Sequence, residues 1–215
     1  MTRKVSLLVL VAGLAWAITA PAQAPYTEFK VGKFNPKAVK SGYLFGVHLG
    51  RMIDESLSWG LEINYFQRNY RKDVEIATEF TRGGTKPETK MRLLEFTTHI
   101  VPLLLKLNYE HPIAYGAPFY VRASAGGGWE MVWNSENNYE EGIKDNRFYS
   151  GFGWQVSAGL GIAISSSGNL FFDVFYNNSR VKRNQNVVKN LPVWEELDIS
   201  GLGVKLGVSI VGFGW

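Results

Sequence analysis

The chain has 215 residues, 23 cationic and 19 anionic side chains, a formal charge of +4 and no cysteine. That length suits a single domain, since domains average roughly 100 to 200 residues. The missing cysteines exclude a disulfide framework, a thiolate metal centre and a cysteine nucleophile, and the interspersed charges exclude a dedicated nucleic-acid face.

The first element is an export signal. Arg3 and Lys4 precede an apolar run from Val5 to Ile18, followed by small residues at Ala20, Ala22 and Ala24, which is the order of a secretory signal peptide. The run is shorter than the roughly 20 residues of a spanning helix. Cleavage after Ala22 avoids placing Pro25 directly behind the cut, leaving 23–215 as the mature domain.

From there the chain alternates with a period of two, so successive side chains take opposite faces of a sheet. Eight strands are expected, at 26–34, 42–53, 57–70, 91–109, 118–133, 148–165, 169–182 and 197–215. In the first, Phe29 and Val31 share a face. In the third, Trp59, Leu61, Ile63 and Tyr65 oppose Gly60, Glu62 and Asn64. The fifth sets Phe119, Val121, Ala123 and Trp129 against Arg122, Ser124 and Glu130. The sixth sets Trp154, Val156, Leu160 and Ile162 against Gln155, Ser157 and Gly159. The seventh opposes Leu170, Phe172, Val174 and Tyr176 to Asp173.

Alternation alone fits either a soluble barrel with an apolar inside or a membrane barrel with an apolar outside. Three features favour the membrane. The strands approach the nine to eleven residues that cross a bilayer at a tilt, and Tyr and Trp recur near strand ends, as in interfacial girdles. Short connections at 54–56, 110–117 and 166–168 also alternate with long polar ones after Tyr70, Asn134 and Arg183, as periplasmic turns alternate with extracellular loops. The expected fold is therefore an all-β, eight-stranded antiparallel up-and-down transmembrane barrel in the bacterial outer membrane. Ten strands are the competitor if 71–90 forms an extra hairpin. In the last strand the apolar phase set by Leu202 to Ile210 changes before Val211, Phe213 and Trp215, so a bulge is expected near Ser209.

The long fourth strand, Ile100-Val101-Pro102-Leu103-Leu104-Leu105-Lys106-Leu107-Asn108-Tyr109, followed by Ala117-Pro118-Phe119-Tyr120-Val121-Arg122-Ala123-Ser124-Ala125-Gly126, resembles the small outer-membrane β-barrel family that includes OmpA-like and PorT-like eight-stranded domains. Ile100 departs from the acidic residue often found two places before that proline. The terminal Phe213-Gly214-Trp215 resembles the aromatic insertion signal read by the barrel assembly machinery. The resemblance implies a fold and no catalytic residues, because fold does not carry role.

An eight-stranded bore is just wide enough for side chains to fill. Its polar lining should include Glu62, Lys106, Arg122, Glu130 and Asp173, with His48, Asn64 and Gln155, pairing as a structural plug or lining a narrow conduit. The cations Arg68, Arg71, Lys72, Arg180, Lys182 and Arg183 are expected near the outer rim, where lipopolysaccharide phosphates and outer-membrane lipid would be their partners. No cofactor and no nucleic acid is implied, and no functional partner can be named. The histidines, His48, His99 and His111, lack metal-binding spacing. Glu95, Thr97 and His99 on one strand face imitate part of a triad, as alternation produces by chance. Gly83-Gly84-Thr85-Lys86 lacks nucleotide-loop spacing. The reading is a non-enzymatic outer-membrane barrel with a structural or surface-interaction role. Behind it stand a narrow channel or export subunit, a lipid A-modifying enzyme, and a lipocalin-like soluble binder with Trp154, Leu160 and Val174 turned inward.

Overall fold

The computed structural model describes residues 24–78, 88–114, 116–184 and 194–213, and it is built from antiparallel strands. These are β1 (Pro25–Pro36), β2 (Gly42–Met52), β3 (Leu57–Thr78), β4 (Glu88–Pro112), β5 (Phe119–Asn138), β6 (Ile143–Ala163), β7 (Gly168–Asn184), β8 (Trp194–Asp198) and β9 (Gly201–Val211). Neighbours in sequence pair from β1 to β7, and β9 pairs with both β7 and β1, so the sheet closes on itself. β8 and β9 are successive segments of one stave lying against β7, which makes a ring of eight staves. The closing ladder runs unbroken from Tyr26↔Val211 to Pro36↔Gly201. Such closure leaves no free sheet edge in the hydrocarbon, where unpaired backbone groups are costly.

The last stave is interrupted at Ile199 and Ser200. There the Ser179 amide donates to Ser200 Oγ at 3.1 Å instead of to a backbone carbonyl, and the Ile199 amide donates to the Ser179 carbonyl at 3.1 Å. On the other side, the amides of Lys37 and Ala38 donate to the carbonyls of Ser200 (2.9 Å) and Asp198 (3.1 Å), tying the β1–β2 turn to the interruption.

Period-two burial runs along β2 without a break from Gly42 to Leu49. The outward residues are large and apolar: Phe45, Leu61, Ile63, Leu105, Leu107, Phe172 and Leu206 are all exposed. A continuous apolar belt around a closed sheet is what a hydrocarbon solvent requires. Trp154, Leu160 and Val174 are 43%, 59% and 47% exposed, so the lipocalin-like arrangement, with these residues inside, is overturned. Trp129, Trp133, Phe148 and Phe152 crowd the outer part of β5 and β6, with Trp133 and Phe148 in contact at 5.2 Å between ring centroids.

Two expectations need correction. The polar segments after Tyr70 and Asn134 are largely strand: β3 continues to Thr78, β4 starts at Glu88, and β5 and β6 extend to a four-residue turn at 139–142. Cross-strand ladders satisfy the backbone there even where side chains are polar, so hydrophobicity underestimates strand length. The ring has the eight staves expected, and 71–78 and 88–90 lengthen β3 and β4 rather than adding a ninth and a tenth. There is no bulge at Ser209, which faces Glu28 in an uninterrupted ladder. The phase change comes instead at Gly212, whose φ of 83° ends the strand after Val211 and re-aims Phe213. Only glycine takes that left-handed conformation freely. The proposed signal peptide lies outside the described residues, as do Gly83-Gly84-Thr85-Lys86 and Trp215.

Candidate functional site: the bore and its outer mouth

Inward side chains fill the bore in layers. Nearest the short turns, Arg122 meets three carboxylates: Glu28 Oε1 at 2.5 Å, Asp173 Oδ1 at 3.2 Å and Glu110 Oε1 at 3.4 Å. Its guanidinium lies 3.6 Å from the Phe171 ring centroid, and the single Tyr26 hydroxyl proton is shared between Glu28 Oε1 at 2.6 Å and Glu110 Oε1 at 2.9 Å. The ring of Phe171 has room because Gly207 stands opposite, where a Cβ would come within 2.4 Å of it.

One layer up, Glu62 gathers three ammonium groups. Lys106 Nζ reaches Oε2 and Lys205 Nζ reaches Oε1, each at 2.9 Å, while Lys30 bridges Glu62 and Glu28. Asn64 Nδ2 donates to Glu62 at 2.7 Å, and Lys205 also donates to Gln155 Oε1 at 2.6 Å. All these side chains are buried. The linked set holds Lys30, Lys106, Lys205 and Arg122 against Glu28, Glu62, Glu110 and Asp173, a balanced charge count. Glu28, His48 and Glu62 are adjacent across β1, β2 and β3, and their potential ligand atoms lie within 4.8 Å. Lys30 Nζ bonds both carboxylates, so a side-chain ammonium already supplies the positive charge a metal would bring.

Glu130 stands apart. It is fully buried and accepts from Asn177 Nδ2 at 3.2 Å, and no cation pairs with it among the described residues. Its Oε1 is without a hydrogen-bond partner, as are the nearby Asn177 Oδ1 and Ser179 Oγ.

Above Glu130 the bore turns apolar. Phe34, Leu44, Phe66, Ile100, Val132, Phe175, Val181 and Ile199, with Tyr149, form one buried layer, and Val39 from the β1–β2 turn and Leu197 pack onto it. Phe34 meets Phe66 edge-on at 5.7 Å and Phe175 at 5.4 Å. This layer lies across the bore between Glu130 and the rim.

Of the sequence-derived interior residues, the structure brings Glu62 and Lys106 together and joins Arg122 to Asp173, and it leaves Glu130 outside the ion-pair network. Sequence reasoning missed Glu28, Lys30 and Lys205. Their signal was present: if Phe29 and Val31 face lipid, Glu28 and Lys30 face the bore, and Lys205 falls between Val204 and Leu206.

At the outer rim the six cations divide. Arg71 pairs with Glu95 at 2.8 Å, and Arg180 and Lys182 flank Glu196 at 3.7 and 3.1 Å, all three on the outward face. Lys72 is exposed. Arg183, 3.9 Å from Glu195, and Arg68 have the inward parity of their strands and face the mouth. Glu95 lies above the apolar belt, and hydrogen bonds from Arg71 and then Asn69 hold its carboxyl below the usual range. These bonds, with one from Tyr139 at 3.3 Å, occupy Glu95, while His99 Nδ1 lies 2.7 Å from Tyr65 Oη. Glu95, Thr97 and His99 therefore do not assemble as a triad. Phe213 is 55% exposed, and its carbonyl accepts from Thr27 Oγ1 at 2.7 Å.

Solved structures share the architecture. A major outer membrane protein from Thermus thermophilus is 12% identical, with 89% of this chain and all of that one covered at a TM-score of 0.52. OprG from Pseudomonas aeruginosa is 13% identical over 88% of this chain and 96% of that one, at 0.51. Neisserial surface protein A is 13% identical over 87% and 95%, at 0.50. At such identities the likeness concerns the fold alone. No curated protein matches the sequence. The family model for the outer membrane protein beta-barrel domain matches residues 5–212, and with it the closed ring, apolar belt and filled polar bore have one explanation: the chain belongs to the outer-membrane β-barrel family.

Proposed function

We propose that this protein is a non-enzymatic outer-membrane barrel with a structural or surface-interaction role and a bore closed to solutes. The observation that carries this is the apolar layer around Phe34, Phe66 and Phe175 lying across the bore above the ion-pair network. An ion would have to shed its hydration to cross that layer. Interaction then belongs to the rim. Arg71, Arg180 and Lys182 stand just above the apolar belt, placed to exchange Glu95 and Glu196 for lipopolysaccharide phosphates through charge-assisted hydrogen bonds. Phe213 and Trp215 would serve as the insertion signal for the barrel assembly machinery.

The test is conductance of the purified full chain in planar bilayers. Silence over a range of voltages is expected. A steady current that scales with salt concentration would overturn the closed bore and favour a narrow channel or export subunit.

A further inference from the structure

The outer mouth contains a cup of about 230 Å³ directly above the apolar layer. Its wall is made of two cross-strand rows. The lower row is Arg68, Thr98 and Asn134 on β3, β4 and β5, and Tyr70 pairs with Phe96 in the row above. Val39 and Leu197, which pack onto the apolar layer around Phe66, are its floor. The β1–β2 turn folds over one side, placing Lys40 Nζ 4.7 Å from the Tyr70 ring centroid.

The polar groups of this cup are mostly donors. Arg68 makes no ion pair or hydrogen bond among the described residues, and its Nε is buried without a partner. Lys40, among the described residues, contacts the Tyr70 face alone. Thr98 Oγ1 donates to Asn134 Oδ1 at 3.1 Å, which occupies the amide's acceptor and leaves its NH₂ as a donor. No carboxylate of the described residues lines the cup. On the opposite side of the mouth the acids are already engaged: Arg147 holds Asp145 at 2.7 Å and Glu136 at 3.3 Å, and Tyr149 donates to Glu195 at 2.9 Å.

Two cations, a free amide donor and an apolar floor form a site complementary to one kind of ligand. From this geometry we infer that the cup binds a small organic carboxylate with an apolar or aromatic body, entering from outside the cell. The guanidinium fork of Arg68 matches a carboxylate, the floor and the Tyr70–Phe96 wall take the body, and Lys40 closes over it. A neutral sugar fits less well, because it brings no charge to match the Arg68 guanidinium. The inference deepens the surface-interaction reading and rests on the closed bore, which makes the cup a dead end rather than a passage.

Benzoate is the probe. The full chain, folded in detergent micelles and verified by its boiling-dependent gel shift, is titrated while the backbone amide resonances of Thr98 and Asn134 are followed. Saturable shifts confined to the mouth are expected. Arg68→Gln should weaken the affinity by about tenfold or more, Arg68→Lys should restore part of it, and Lys144→Gln, exposed on β6 and away from the cup, should leave it unchanged. Equal binding of benzamide, preference for glucuronate, or unaltered affinity in Arg68→Gln would overturn the assignment. Bilayer conductance reads the bore independently of benzoate: a silent protein that ignores benzoate defeats the cup alone, whereas a conducting one defeats the closed-bore reading.

Discussion

Replacing Glu62 by glutamine keeps the shape of the side chain and removes the charge on which three ammonium groups converge. Lys106 and Lys205 lose their only carboxylate partner among the described residues, while Lys30 keeps Glu28. Removing one partner of a buried ion pair costs about 3–5 kcal/mol, because the remaining charge stays desolvated, and here two charges are left so. With urea slopes of about 1–3 kcal/mol per molar, the unfolding midpoint should fall by at least about 1 M. The assay is urea unfolding in lipid vesicles followed by tryptophan fluorescence, with the gel shift as a check on the closed barrel. Adding Lys205→Met should recover part of the loss, since it removes one stranded charge. A Glu62→Gln midpoint indistinguishable from that of the parent, or a double variant weaker than the single one by the full cost of losing Lys205, would refute the idea that Glu62 is the counter-charge organising the bore.

Glu130→Gln should behave in the opposite way: with no cation to lose, and a new NH₂ group beside the unpartnered Asn177 Oδ1, stability should hold or rise by about 1 kcal/mol in the same urea assay. Phe66→Ala, at the centre of the apolar layer, should cost about 3–5 kcal/mol through the cavity it leaves, read from the same midpoints. In a carbon-detected NMR titration the Glu95 carboxyl should titrate below an ordinary glutamate, and Arg71→Gln should move it upward. Because the folded-state value is depressed, the Arg71–Glu95 contact is complete above the ordinary glutamate range and is lost as pH falls through the depressed value.

The sequence was legible where physics has a period of two. Alternation assigned Leu61, Val121 and Leu160 to lipid and Glu62, Lys106 and Arg122 to the bore without reference to any neighbour. It could not say which interior groups would meet. Lys30 and Glu62 lie on strands separated by β2, and Lys205 reaches Glu62 across the interior, so those contacts depend on the tilt and stagger of the closed ring. Phe34, Phe66, Ile100 and Val132 were hidden for a related reason: they share the face that carries Glu62 and Lys106, and alternation reports the face of a residue without its depth. In the sequence Arg68 is one of several rim charges, and only its even register with Glu62 and Phe66 turns it into the cup.

The interruption at Ile199 and Ser200 divides the molecule mechanically. Below it, β9 is held on both sides by long ladders, so the hoop around the ion-pair network is continuous. Above it, β8 has a full ladder only with β7, and its other flank is fastened to the β1–β2 turn through the amides of Lys37 and Ala38. The collar that carries the cup and the outer turns can thus yield to a pull from outside while the hoop keeps its register, and strain at the rim stops short of the ion-pair network.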